Sequence, residues 1–458
     1  MKTKMSNGGI VVENPCHACM PMGAIIPFKG IRKAMVIIHG SQGCSTYMRR
    51  HISEHYNEPI DVASSSINEK GTIYGGAGNL KKGLDNLFKV YKPELVGILS
   101  TCLAETIGED IERIAAEYLA ERNMPDFPLI AVPTPGYGGT HTEGYFWAVR
   151  RILSSMNGSR FRHKQINLIV PNLSPADLRE IKRIMGLMGI SYVICPDYSE
   201  TLDSPFIRPY HKIAEGGTSL ADLRTMAGAA ATIQMSESVE DDISPGKYLE
   251  TSFGVPLYNI PVPMGIEATD KFISLLKELS GHMISPILER ERGRLLDCMI
   301  DSHKYNAEGR AIIYGEPDLV LSVTRTCVEN GIVPVVVATG ARSRKLQVLV
   351  SQLTTGEADK VEILDEADFT AIRKIAVERD TNIAIGHSDG KYLTEKEGIP
   401  LVRLGFPIHD RVGGQRLLSV GYTGTIMFLD RLTNTLLESK LSGYRSNMLN
   451  QYFSGAAI

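Results

Sequence analysis

Short aliphatic runs alternate with amphipathic, helix-length stretches along most of the chain, and this alternation restricts the fold more than any other feature. A strand buried on both faces reads as a continuous apolar run, whereas a helix that covers it shows apolar residues three and four apart. Strand, helix and strand in repetition therefore predict an α/β fold, with doubly wound, Rossmann-like units whose parallel sheets are flanked by helices. At 458 residues the chain is too long for one hydrophobic core, since cores stop growing at about 250 to 300 residues. Three such domains are expected, spanning 1–160, 161–300 and 301–458.

In the first, Met35–His39, Leu95–Ser100 and Leu129–Val132 read as strands, and Leu80, Leu84, Leu87, Phe88 and Tyr91 share one helical face. The second opens with Ile166–Val170 and then a helix start. Ser174 can cap, Pro175 suits the first helical position, and Asp177 completes a capping-box pattern ahead of Leu178, Ile181 and Met185. Gly189 ends that helix, and Tyr192–Cys195 reads as the next strand. The stretch from Asp203 to Ser244 is polar and weakly periodic, and carries no assignment. In the third, Ala311–Tyr314, Val333–Val337, Val361–Leu364, Ile383–Ile385 and Leu401–Leu404 are five strand candidates separated by helix-length segments.

Charge excludes several functions. The 49 basic and 52 acidic residues leave a net charge of −3, which provides neither a nucleic-acid footprint nor a polybasic membrane anchor. Apolar runs such as Ile332 to Ala338 fall well short of the roughly 20 residues that cross a bilayer. The N-terminal MKTKMSNGG lacks the apolar core of a secretory signal. A soluble, cytoplasmic protein with no membrane or nucleic-acid partner is expected.

Seven cysteines form an odd set, and Cys16, Cys19, Cys44 and Cys102 all fall in the first quarter of the chain. In a large chain of this type, metal ligation or redox use outranks disulfide formation. Cys195, Cys298 and Cys327 sit in apolar or helix-like stretches and read as small buried hydrophobes. Cys19 in NPCHACMPMGA, Cys44 in IHGSQGCSTY and Cys102 in ILSTCLAETIGED each lie at a strand end or loop beside small residues. Strand carboxyl ends are where open α/β sheets bind ligands. Thiolates suit zinc or iron–sulfur clusters, and small neighbours let backbone N–H groups approach sulfur. Three thiolates leave a cluster incomplete, so a fourth ligand or a second chain is required. Spacing alone leaves three readings open: a zinc site on Cys16, Cys19, Cys44 and Cys102, an iron–sulfur cluster, or unliganded cysteines. Cys16-x-x-Cys19 has the look of a zinc or redox pair, yet no second pair follows at zinc-ribbon spacing.

The wording around the cysteines is more specific. The succession NPCHACMPMGA, HGSQGC, HYNEPIDVASSS, STCLAETIGED and TPGYGGTHTEGY resembles the β subunit of nitrogenase component 1. So do ERGRLLDCMIDSH, GEPDLV, GHSDGKYL and LGFPIHDRVGGQRLLSVGYTG, which extend the likeness over nearly the whole chain.

That resemblance implies a P-cluster-type, eight-iron seven-sulfur centre held by Cys19, Cys44 and Cys102 and completed by thiolates of an α-type subunit, in an α2β2 assembly. Thr140 takes the place of a family serine with a redox-dependent bond to the cluster. Ile73 and Tyr74 match a patch on which an ATP-hydrolysing iron protein docks, the alternative being ordinary core. The substrate-reducing cofactor is expected on the α-type partner, so no catalytic acid or base is assigned here. No full G-x-x-x-x-G-K-[ST] or G-x-G-x-x-G occurs, which leaves nucleotide chemistry to a partner. Cys16 is an extra thiol expected to pack, and His39, His141 and His409 are expected to pack or hydrogen-bond. The chain resembles the compact members of the family, which reduce dinitrogen or other small molecules, methylthio-alkanes among them. The alternative is a scaffold subunit for cofactor assembly with a four-iron four-sulfur cluster, although such scaffolds tend to lack the full three-cysteine set.

Overall fold

The computed structural model describes residues 16–156, 158–355 and 361–453. MKTKMSNGG, and Asn14 and Pro15 of the first cysteine motif, lie outside them. Among the described residues thirteen strands form three sheets, in which every strand pairing is parallel. The first contains β1 (Ala34–His39), β2 (Ala63–Ser64), β3 (Leu95–Ser100) and β4 (Leu129–Val132) in the order β2-β1-β3-β4. The second contains β5 (Ile166–Ile169), β6 (Tyr192–Cys195), β7 (Ala231–Gln234) and β8 (Leu257–Asn259) in the order β6-β5-β7-β8. The third contains β9 (Arg310–Gly315), β10 (Val333–Thr339), β11 (Glu362–Leu364), β12 (Ile383–Gly386) and β13 (Leu401–Arg403) in the order β11-β10-β9-β12-β13.

Each order reverses direction at one point, between β1 and β3, β5 and β7, or β9 and β12. Adjacent loops diverge there and open a crevice at the strand carboxyl ends. β1 and β3 are buried at every position, as central parallel strands covered on both faces must be. The helix Ala77–Tyr91 lays Leu80, Leu84 and Leu87 on the first sheet. The helix Pro175–Leu187 starts as its sequence predicts: Ser174 Oγ accepts the Asp177 N–H at 2.9 Å, and Asp177 turns back to the Ser174 N–H at 3.4 Å. Asp177 also accepts the N–H groups of Ser419 and Val420, at 2.7 and 3.1 Å, tying this helix to the chain's last segment.

A single apolar cluster includes Val36 and Ile38 of β1, Leu168 of β5 and Ile313 of β9, so the three sheets share a continuous interior. The long helix Gly421–Phe453 packs against the helices Pro286–Asn306, Ile266–Ser280 and Pro175–Leu187. Among the described residues no helix is long and apolar enough to cross a membrane.

Three strands, β2, β7 and β8, have no counterpart in the sequence-based assignment. β7 lies in the unassigned Asp203–Ser244 stretch, where Thr232 and Gln234 are buried polar residues. Gln234 is matched by Asn259 at 2.9 Å and by the Gly246 N–H at 2.9 Å. Cys195 and Cys327 are fully buried. Cys298 departs from that expectation: it is only partly covered, with Sγ 3.8 Å from Asp430 Oδ1. Burial and the Asp430 charge push its thiol up to about 11.

Candidate metal centre

Cys44 and Cys102 follow β1 and β3, the strands that flank the first sheet's crevice. Ser41 caps the helix Gln42–Tyr56 by accepting the Gly43 N–H at 3.3 Å, which places Cys44 in its first turn. Cys102 is the first residue of the short helix Cys102–Thr106. Cys19 is the N-cap of the helix Met20–Lys29, whose residues 20–28 are all buried. Each thiol therefore sits where backbone N–H groups lack helical acceptors and the local dipole favours negative charge.

The Cys19 helix is fixed by the helix His141–Ser155, which it crosses at very close range. A Cβ added at Gly23 would lie 1.8 Å from the His141 carbonyl oxygen, and one at Gly144 would lie 2.0 Å from that of Met20. Ala18 donates its N–H to His141 Nδ1 at 3.2 Å and accepts the His141 N–H at 3.0 Å. His141 Nε2 meets Glu316 Oε1 at 3.1 Å. His141 thus acts as a hydrogen-bonding support for the Cys19 segment.

The loop after β4 lies against Cys102 and Cys19. Ser100 Oγ accepts the Thr134 N–H at 2.8 Å, while Thr134 Oγ1 donates to the Ser100 carbonyl at 2.8 Å. This clamp positions Gly136, whose N–H donates to Cys102 Sγ at 3.1 Å. A Cβ on Gly136 would lie 3.1 Å from that sulfur and 3.7 Å from Cys19 Cβ. Burial pushes the Cys19 thiol above its ordinary value, and Cys44 and Cys102 push it further. Burial followed by Cys102 does the same to Cys44. Cys19 and Cys44 therefore share one electrostatic neighbourhood with Cys102. A cationic metal core would favour the thiolate form of the two raised thiols.

Cys102 is exposed, and Cys19 and Cys44 are partly exposed, so the group opens to the surface. Among the described residues no three His, Cys, Asp or Glu side chains are placed to hold a single metal ion. Cys16 lies in another apolar cluster, with Ile312, Tyr314 and Val336. Its thiol is pushed up by burial and lies 3.7 Å from His387 Nε2. The four-cysteine zinc set is thus not assembled, and the packing role expected of Cys16 agrees with its burial.

Thr140 pairs with Cys19 in an isolated antiparallel bridge. It caps the helix His141–Ser155: its N–H donates to Glu143 Oε2 at 2.8 Å, and its hydroxyl contacts the same carboxylate. Ile73 and Tyr74 are 74% and 80% exposed, which excludes the core reading of this pair. His39 is buried between Ser65 and Glu109, and His409 lies 3.8 Å from Asp389. Sequence reasoning did not single out Thr134, Gly136, Ser65 or Glu109. All four lay in motifs already noted: Ser65 in HYNEPIDVASSS, Glu109 in STCLAETIGED, and Thr134 and Gly136 in TPGYGGTHTEGY.

The model of the nitrogenase component 1 type oxidoreductase family matches residues 19–437. The nitrogenase molybdenum-iron protein beta chain of Clostridium pasteurianum is 33% identical over 430 residues, covering 93% of both chains. That of Methanothermobacter thermautotrophicus is 34% identical over 440 residues, covering 93% of this chain and 95% of its own. A solved chain of nitrogenase Cp1 at pH 6.5 superposes with a TM-score of 0.89 at 32% identity, covering 95% of this chain and 96% of that one. A chain of nitrogenase Cp1 at pH 5 shares the fold, with a TM-score of 0.69 at 16% identity. The chain belongs to the nitrogenase component 1 type oxidoreductase family, and within it resembles the beta chains.

Proposed function

We propose that this chain is the β-type subunit of a nitrogenase-like, two-component reductase, and that Cys19, Cys44 and Cys102 hold its half of a bridging iron–sulfur cluster of the P-cluster type. The observation that carries this reading is the placement of three thiols at helix N-termini close enough to influence one another, with Gly136 against Cys102 and Cys19, on a face that opens outward. Thiolates at the rim of a chain leave iron sites for a second chain to complete, and the α-type partner would supply those ligands. The cluster, when bound, supplies one-electron redox chemistry.

The chain's own residues orient and insulate. Gly136 offers an N–H to Cys102, the Ser100–Thr134 clamp fixes that loop, and His141 fixes the Cys19 segment. Thr140 stands beside Cys19, and its hydroxyl would have to leave Glu143 to meet the cluster. Ile73 and Tyr74 form the proposed docking patch for an ATP-hydrolysing iron protein. The substrate-reducing cofactor is assigned to the partner, and the substrate is dinitrogen or another small molecule such as a methylthio-alkane. The domain division at about residues 160 and 300 is proposed on the spacing of the three sheets.

Anaerobic purification with the α-type partner tests the assembly. An α2β2 mass is expected, together with a multi-iron paramagnetic signal on stepwise oxidation that disappears when the chains are separated. A cluster-loaded monomer, or stoichiometric zinc, would contradict the reading.

A further inference from the structure

The exposed pair Ile73 and Tyr74 ends a short helix, Glu69–Tyr74, and the chain then turns inward through Gly75 and Gly76. The Gly76 N–H donates to Glu109 Oε1 at 2.5 Å. The other oxygen of this carboxylate, whose side chain is only 8% exposed, lies 3.3 Å from Nε2 of the fully enclosed His39. His39 Nδ1 lies 3.0 Å from Ser65 Oγ, which accepts the Gly40 N–H at 3.0 Å. Gly40 immediately precedes Ser41, the cap of the helix that carries Cys44.

The Glu109 carboxylate only accepts, so Nε2–H of a neutral imidazole donates to it, which leaves Nδ1 to accept from the Ser65 hydroxyl. Every polar group in the line then has a partner. Packing reinforces the line: a Cβ on Gly76 would lie 3.0 Å from His39 Cε1, and one on Gly40 would lie 2.0 Å from Thr101 Oγ1, next to Cys102. Thr101 is bonded back to His39 through its N–H at 3.2 Å.

We infer that Glu109 is a positioning residue that, through His39 and Ser65, couples the Ile73–Tyr74 surface to the Cys44 and Cys102 loops, so that a partner pressing on that surface displaces the thiols. The inference rests on the docking role proposed above for Ile73 and Tyr74. The carboxylate joins the Gly76 N–H to the His39 imidazole, beyond the Ile67 N–H that donates to the Gly40 carbonyl at 2.8 Å ahead of the helix, and the elements it links are packed too tightly to move independently. Removing it would leave docking contacts intact while weakening the link from the helix's exposed end to the cluster loops.

The test uses the purified αβ complex with an iron protein that supports its turnover. Glu109→Ala should retain parent iron and sulfide content and a half-saturating iron-protein concentration within about twofold of the parent, but transfer electrons at least fivefold more slowly per docking event. Hydrogen exchange supplies a readout independent of activity. In the parent, iron-protein docking should protect residues 72–78 and also 40–46; in Glu109→Ala it should protect only the first stretch. Glu109→Gln retains an acceptor for Gly76 and should restore most of the rate. Parent-like transfer and protection of both stretches in Glu109→Ala would overturn the coupling, as would loss of iron before any docking. Tyr74→Ala tests the docking role by itself: an unchanged half-saturating concentration would remove that role, whereas a raised one with parent-like Glu109→Ala would remove only the coupling.

Discussion

His55 is enclosed near the end of the Cys44 helix, where its Nδ1 accepts the Ile408 N–H at 2.8 Å. Burial holds this imidazole down to about 3, against about 6.5 for a free histidine. An unfolded chain takes up the proton near pH 6.5, whereas the folded chain resists it until about pH 3. The contribution of His55 to stability is therefore complete above pH 6.5 and falls as the pH drops toward 3, by up to about 1.4 kcal/mol per pH unit. His55→Asn keeps an acceptor for Ile408 and should flatten the decline of the denaturant midpoint between pH 6.5 and 4 by about one proton's worth. An unchanged slope would contradict this. At the cluster face, Gly136→Ala places a methyl 3.1 Å from Cys102 Sγ. We expect iron per αβ pair to fall by about half or more with unchanged far-ultraviolet dichroism, a size of effect consistent with a disturbed outer shell. The three cysteines and the glycine-rich loop were legible in the sequence. That one glycine faces a sulfur 34 residues away was not, because only the parallel register of β3 and β4 brings them together.

The long apolar runs gave the central strands to within a residue or two, since burial on both faces leaves little ambiguity. The omissions have separate causes. β2 has only two residues, β8 is incompletely covered, and β7 has polar residues whose partners lie in distant segments. The Ser174 cap was legible because both halves of its capping box are local. What Asp177 does for Ser419 and Val420 was not, since those donors lie more than 240 positions away. Removing this carboxylate leaves those buried N–H groups without an acceptor, a loss of about 2 to 4 kcal/mol. By contrast, Ser219 caps the helix Leu220–Thr225 by accepting only the Asp222 N–H, at 3.0 Å, at an exposed end. Replacing it should cost about 1 kcal/mol. Asp177→Ala should therefore lower the thermal midpoint well beyond Ser219→Ala, and equal shifts would show that the link to the C-terminal segment contributes nothing.

Across the whole molecule, the continuous core makes the three sheets a rigid support for loops at the first sheet's crevice. The face bearing Cys19, Cys44 and Cys102 is open and becomes complete only with the proposed second chain. Each thiolate would supply a metal bond and a negative charge, whereas alanine exposes an iron to water or loss. The most direct test is iron and acid-labile sulfide per αβ pair, measured anaerobically with solution mass for Cys19→Ala, Cys44→Ala, Cys102→Ala and Cys16→Ala. The account predicts lower iron and sulfide and weaker chain association in the first three, with parent values in Cys16→Ala. Parent iron in all three ligand variants would contradict it.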